Sequence, residues 1–489
     1  MDTRLHDDNA VSLRTAKAAL PLYLTRIKVY PRAIGGLWRR VKWSALVVLL
    51  GIYYLVPWLR WNRGPDAPSQ AILIDLDGRR GWFFDVVIWP QEIYFVTGLL
   101  ILGAFGLFFA TALFGRVWCG FACPQTVWTD LFMLVERLIE GDRNERMRLD
   151  KAPMSASKAA RKGLKHAMWI AIAAATGGAW IFYFVDAPTA LVNIFRGEAS
   201  MEVYFFVGLF TATTYVLAGW AREQVCTYMC PWPRFQAAML DEQSVIVTYQ
   251  KWRGEPRGKH KAGDAWMGRG DCVDCNLCVA VCPTGIDIRD GQQMECIGCG
   301  LCIDACNQTM VKVDRLPNLI RWDTLANQQA KESGADGVTW KPVRPRTLLY
   351  GALLAVVATV ILVAFFLRTD AELTVQRDRS PNFVRLSNGD VRNSYAVKIL
   401  NKSLDARHFQ LAVEGLPGAT LTAVAPGTES GGAGMQMIVH PDTVGTFRVF
   451  LTVPATAAPT GSKSIDFTIT DAAGRKRASH DAVFVGPQP

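Results

Sequence analysis

The sequence predicts an α-helical polytopic membrane protein of about five spans, carrying a cysteine-rich domain and a C-terminal β-sandwich. Three observations predict it. Five stretches of the 489 residues reach membrane-spanning length almost without charge, at 43–59, 93–114, 167–185, 201–220 and 348–367. Eight cysteines between residues 272 and 306 repeat one period. From Glu372 onward the texture becomes short alternating runs (YAVKIL, FQLAV, GMQMIV, TFRVFLTV, SIDFTIT) separated by Gly, Pro and Asn turns, the pattern of half-buried strands.

Each apolar stretch approaches the about 20 residues a helix needs to cross about 30 Å of hydrocarbon. Pro57 and Arg60 shorten the first. The segment before it is polar and basic, so no cleavable signal peptide is expected there. Lys and Arg set the orientation: residues 1–41 carry eight and residues 115–165 carry ten, against four in 60–92 and one in 186–200. The expected division is a cytoplasmic tail (1–41), a four-helix membrane region (42–240), a cytoplasmic domain (241–347), a fifth span (348–367) and a periplasmic domain (368–489). Composition agrees: half of the residues are apolar, which excludes a disordered or collagen-like chain. The balance of 53 Lys+Arg to 43 Asp+Glu follows from this topology, and with no recognisable binding module it does not point to nucleic acid.

All twelve cysteines fall on the side expected to be cytoplasmic or at its edge, so metal ligation is a better reading than disulfides. Cys272, Cys275, Cys278 and Cys282 precede Pro283, and Cys296, Cys299, Cys302 and Cys306 follow. C-x2-C-x2-C-x3-C used twice is the spacing of bacterial two-cluster ferredoxins, where the fourth cysteine of each block serves the other block's cluster. Cys272, Cys275, Cys278 and Cys306 are therefore expected around one 4Fe-4S cluster, and Cys296, Cys299, Cys302 and Cys282 around a second. Zinc would not need eight cysteines in this period. Asn307 stands where a Pro is usual, which leaves the ligand count intact.

The other four cysteines repeat a different pattern. Cys119 and Cys123 (CGFACP) follow the second apolar stretch, and Cys226 and Cys230 (CTYMCP) follow the fourth, preceded by Arg116 and Arg222. The internal repeat suggests a pseudo-two-fold arrangement with both pairs at one face. Two geometries are open: i and i+4 thiols on one α-helical face, or Cys123 and Cys230 as N-caps of helices opened by Pro124 and Pro231, where the dipole favours thiolate. Met229 adds a thioether, and thiolate with thioether selects Cu(I). A third iron–sulfur cluster, a redox disulfide and buried apolar thiols remain alternatives.

No apolar stretch has an Asp, Glu, Lys, Arg or His in its interior, which speaks against ion pumping and against haem held between helices. Residues 60–92 read as a hairpin turning at Asp77-Gly78, with Trp82, Trp89 and Tyr94 at the membrane interface. The C-terminal domain reads as about seven strands. Met435, Met437 and His440 in MQMIVH could suggest a copper site, but period-2 alternation puts both methionines on one face of a strand, the core face; His408 and His480 read as surface or strand-end residues.

These features together resemble the FixG/CcoG family. The likeness runs over nearly the whole chain, through the spans, VWCGFACPQTVWTDLF, REQVCTYMCPWPRFQ, the double cysteine block and the C-terminal domain. It implies a cytoplasmic two-cluster ferredoxin-like domain and a periplasmic Ig-like sandwich in the bacterial inner membrane. It also implies an oxidoreductase function, reduction of Cu(II) to Cu(I) for the copper centre of a cbb(3)-type cytochrome c oxidase. Copper is then substrate or bound metal at Cys119, Cys123, Cys226, Cys230 and Met229. The implied partners are membrane lipid, oxidase subunits or copper-handling proteins, and a cytoplasmic electron donor; the oligomeric state is left open, a homodimer included. The competing functions are an electron conduit from quinol or a cytoplasmic donor to an exported reductase, and a non-catalytic assembly scaffold.

Overall fold

A computed structural model describes residues 28–487 except 65–66, 261–265, 267, 404, 425–427 and 432–433. The chain forms two compact units, one from the residues up to Leu49 with Phe108–Ala175 and Phe210–Thr347, the other from Leu50–Leu107, Thr176–Leu209 and Leu348 onward.

Among the described residues, four helices are long and apolar enough to cross a membrane: Leu37–Trp58, Pro90–Phe114, Met201–Ala221 and Pro345–Phe366. The stretch 167–185, expected as a span, is not one of them. It falls in a helix, Ala156–Ile181, whose first part carries Lys158, Arg161, Lys162 and Lys165. The chain turns out of that helix after Ile181, before Asp186 caps the next one by accepting from the Thr189 N–H. The uncharged stretch is therefore longer than the uncharged helix. Pro57 acts as anticipated: the first α-helix ends at Leu55 and continues as a 3-10 turn, Val56–Trp58.

In the first unit, Val245–Tyr249 (β4) pairs antiparallel with Ile320–Thr324 (β5). Two short helices, Leu277–Val281 and Leu301–Lys312, each grow from one cysteine block. Ile288, Ile303, Met310, Leu319 and Ile320 pack there with Val247, Tyr249, Cys272 and Cys278. The helix Leu37–Leu55 starts against this domain. Asp304 accepts from the backbone N–H groups of Trp38 (3.3 Å) and Arg39 (2.8 Å), and the Trp38 ring lies 5.3 Å from that of Trp322. Arg39 and Lys42 close on buried Asp130 at 2.9 and 3.7 Å.

In the second unit, residues 60–92 form a three-stranded sheet of β1 (Ile72–Asp75), β2 (Arg80–Phe83) and β3 (Val86–Ile88). Asp75 pairs with Arg80, so the turn spans four residues with Arg79, not Gly78, left-handed at φ 53°. Asp77-Gly78 is thus no two-residue hairpin turn. Trp82 and Trp89 are also not interfacial: they are 1% and 8% exposed, packed with Leu73, Val87 and Leu400, while Tyr94 is exposed. The Arg80 guanidinium stacks 5.2 and 5.5 Å from the two indole rings and pairs with Asp442 at 2.7 Å. Glu92 meets Arg368 and Lys402, each at 2.7 Å. These pairs tie the small sheet and the last helix to the C-terminal domain.

Among its described residues that domain has ten strands rather than about seven, in two sheets. One is ordered β10-β13-β8-β6 with β7 on β8, the other β11-β12-β9-β14-β15. Here β6 is Ala371–Arg377, β7 Val384–Arg385, β8 Val391–Asn401, β9 Arg407–Glu414 and β10 Thr420–Val424. The rest are β11 Thr428–Gly431, β12 Gly434–Val439, β13 Thr443–Val453, β14 Ser462–Asp471 and β15 Lys476–Val485. Met435 and Met437 are fully buried among Phe409, Leu411, Phe447 and Phe467, so both are core residues. His408 and His440 are exposed and His480 is half-buried.

Candidate functional site

The two cysteine blocks share one backbone design. Asp274 and Asn276 flank Cys275 at φ 51° and 53°, and Gly298 and Gly300 flank Cys299 at φ 65° and 71°. Left-handed residues on either side of a cysteine turn successive N–H groups to one side, the concave arrangement that receives anionic sulfur. A helix then starts at once, placing Cys278 and Cys302 in its first turn.

Two cavities result. Cys272, Cys275, Cys278 and Cys306 line one, together with Tyr249 and Arg289. Cys282, Cys296, Cys299 and Cys302 line the other, with Cys278 in the wall between them. The structure thus gathers the cysteines as crossed ligation requires, with the last member of each block beside the other block's first three. Among the described residues, no three His, Cys, Asp or Glu side chains converge on a single metal-ion position. Four cysteines around each cavity suit a four-iron cage, in which each thiolate takes a different iron. Burial pushes the thiols of Cys278, Cys296 and Cys306 up to about 12, so these sites favour thiolate only when a cationic group enters. Arg289, near Cys278, is anchored by Asp274 and Asp287, each at 2.6 Å.

The C-x3-C segments are π-helical turns, Trp118–Ala122 and Val225–Met229, and so differ from a shared α-helical face. Each closes alike: the Cys123 N–H donates to the Trp118 carbonyl at 2.8 Å, and the Cys230 N–H to the Val225 carbonyl at 2.7 Å. Cys123 is the N-cap of the helix Pro124–Glu140, as the second geometry anticipates. Cys230 is not the N-cap of the helix that follows, because Pro231 takes that position before Trp232–Met239.

The two repeats interlock. Gln125 donates to the carbonyls of Leu217 (2.8 Å) and Arg222 (3.2 Å). Arg116 donates to the Pro233 carbonyl at 2.9 Å, and the Cys119 thiol to Gln236 at 3.2 Å. Burial first, then Cys123, pushes Cys119 up to about 12, with smaller contributions from Cys226 and Cys230. Burial and the same neighbours push Cys226 up to about 11. Burial is the larger cause at both thiols, and the neighbouring thiols add to it. Met229 is 61% exposed, so its thioether stays at the surface.

The first C-x3-C turn lies directly on the second cavity. Cys119 and Cys226 pack with Ile297, Cys299 and Leu301. Arg116 donates to the carbonyls of Met294 and, at 3.2 Å, Cys296. A Cβ on Gly120 would stand 2.8 Å from the Gly298 carbonyl oxygen, so only glycine permits this approach. The basic residues of the repeat are not equivalent, since Arg222 turns away to Glu136 at 3.0 Å. Sequence reasoning noticed Arg116 without its partners and missed Gly120, Gln236 and Arg289. For Gly120 the only signal is a glycine inside one C-x3-C and not the other.

Paired cysteine cavities beside a dithiol repeat, in a chain with membrane-length helices, define an iron–sulfur membrane protein of the electron-transfer class. Residues 221–325 match a family described as a 4Fe-4S dicluster domain, residues 96–140 a 4Fe-4S binding domain, and residues 361–487 an Ig-like fold at the C-terminus of FixG. The nitrogen fixation protein FixG of Rhizobium meliloti is 48% identical over 503 residues, covering 97% of this chain and 96% of its own. Protein RdxA of Cereibacter sphaeroides is 48% identical over 92% of this chain and 94% of its own. A crystal structure of a FixG-related protein from Vibrio parahaemolyticus aligns with 24% of this chain and 97% of its own, at 22% identity and a TM-score of 0.20. The chain belongs to the FixG family.

Proposed function

We propose that the protein reduces Cu(II) to Cu(I) at its C-x3-C-P thiols, supplying Cu(I) for the copper centre of a cbb(3)-type cytochrome c oxidase. The observation that carries this reading is the seating of Gly120 and Cys119 on the Gly298–Cys299 loop. It puts a soft-ligand site in van der Waals contact with the residues assigned to the second cluster. The eight block cysteines, ligated in crossed sets, hold two 4Fe-4S clusters, which when bound supply single electrons at low potential. The chain's own residues do the rest. Cys119, Cys123, Cys226 and Cys230 hold Cu(I) better than Cu(II), so their thiols raise the copper potential and favour the one-electron step. Arg116 holds the first turn in place. In anaerobic, pre-reduced protein, added Cu(II) should bleach the reduced-cluster signal while a chelator reports one Cu(I) per electron lost. Cys119→Ser and Cys226→Ser should suppress this at least about tenfold and leave the cluster spectrum in place. Wild-type rates in both variants would sink the copper site.

A second reading has its own support. The match to a 4Fe-4S binding domain covers Cys119 and Cys123, and Cys226 and Cys230 repeat their pattern. Under it Cys119, Cys123, Cys226 and Cys230 hold a third cluster, and the iron content is about twelve atoms per chain rather than about eight.

The orientation belongs to the same proposal: dicluster domain cytoplasmic, sandwich periplasmic, with 167–185 crossing as a short span in a bacterial inner membrane. Reporters fused after Lys341 and after Gly486 should light up on opposite sides, the first inside. The same side for both would remove the last span from the topology.

A further inference from the structure

A cavity of about 290 Å³ lies in the first unit, with no cysteine among its lining residues, between Lys28, Lys162, Lys165, His166 and Arg222. Its floor is Trp169, 2% exposed, and its rim is Trp220, 54% exposed. Behind the wall is an ion-pair network. Glu136 meets Arg146 (2.7 Å), Arg222 (3.0 Å) and Lys165 (3.7 Å). Glu140 meets Lys162 (2.9 Å) and Lys165 (3.0 Å). Asp150 meets Lys28 and Lys162, each at 2.6 Å.

In this network five cations share three carboxylates. Burial works against ionising Glu136, but Arg222, Arg146 and Lys165 outweigh it and hold its carboxyl down at about 2. Lys165 and Arg222 are buried and paired, with side chains 5% and 6% exposed, while Lys28 and Lys162 are more open, at 41% and 22%, so the wall carries more positive than negative charge toward the cavity and suits an anion. Position identifies the anion's source. Gly219 and Trp220 belong to the last turn of the candidate span Met201–Ala221, the level at which a helix leaves hydrocarbon for headgroups. The Trp220 ring stacks on His166 at 6.0 Å, and the His166 Nδ1 is hydrogen-bonded to the Tyr215 hydroxyl at 2.9 Å. A wet tryptophan over a basic pocket is the usual furniture of a membrane interface.

We propose that this cavity binds the phosphodiester headgroup of an acidic membrane phospholipid. Lys28, Lys162 and Lys165 face the phosphate, and Trp220 lies along the glycerol. The site joins the first C-x3-C-P helix, through Glu136, and the helix Ala156–Ile181 to the end of the span before the second C-x3-C-P, so an occupied headgroup braces the two repeats.

The full-length protein would be exchanged into nanodiscs of phosphatidylcholine with a minor fraction of phosphatidylglycerol, and retained lipid counted by mass spectrometry. Wild type should retain phosphatidylglycerol selectively. Lys28→Gln and Lys162→Gln should each weaken retention about fivefold, the value of one basic residue near an anionic headgroup. Iron–sulfur absorbance reports that each variant is folded; if Lys162→Gln fails that check, Trp220→Ala, at the exposed rim, replaces it. Inorganic phosphate and glycerol phosphate, added without lipid, should neither raise the melting temperature nor displace the lipid. Equal protection by those soluble anions would overturn the lipid source, and unchanged retention in the folded variants would overturn the site.

Discussion

Serine at Cys275 and serine at Cys306 should remove the same cluster signal, and serine at Cys299 or at Cys282 should remove the other. In each case iron should fall by about four atoms per chain. The two members of each pair are far apart in sequence but line one cavity, so the expectation tests crossed ligation and not merely the presence of iron. Electron paramagnetic resonance of the reduced protein is the measurement. Cys275 is exposed while Cys299 is buried, and the second change should therefore also loosen the packing of Ile297, Leu301 and Ala305 around it. If Cys306→Ser instead removed the signal lost in Cys299→Ser, each block would hold its own cluster and the crossed assignment would be wrong.

What the sequence made legible follows from how local each signal is. Cluster ligation fixes spacing along the chain, so C-x2-C-x2-C-x3-C can be read directly. Alternation fixes the buried face of a strand, so Met435 and Met437 could be placed in the core from period alone. Signals that depend on partners remote in sequence were not legible. Trp82 and Trp89 look like interface anchors until Arg80 and Leu400 are seen to cover them. Asp77-Gly78 looks like a two-residue turn, but pairing of Asp75 with Arg80 sets a longer one. Hydropathy marks 167–185 as uncharged without showing that its helix is shared with a basic segment and stops at Ile181. The C-x3-C-P repeat was visible, yet not its π-helical form or the glycine that seats one copy on the Cys296–Cys299 loop.

That glycine carries the second large expected effect. Gly120→Ala adds a methyl that would lie 2.8 Å from the Gly298 carbonyl oxygen and 3.0 Å from that of Ile297. Both neighbours are backbone, and Gly298 is itself held by its left-handed φ of 65°, so neither can rotate aside as a side chain would. The relief open to the structure is to lift the Trp118–Ala122 turn away from the loop, straining the Arg116 bond to the Cys296 carbonyl. The ligands of both cavities are untouched, and iron content should stay at the wild-type value. The rate at which Cu(II) reoxidises the reduced protein should fall about 10–100-fold, the usual cost of displacing reacting groups by about 1 Å. Gly163→Ala is the control, because a Cβ there meets nothing within 4 Å; it should leave both iron and rate unchanged. Full activity in Gly120→Ala with its iron intact would mean that copper collects its electron elsewhere, and the seating of Cys119 on the Cys299 loop would then be packing alone.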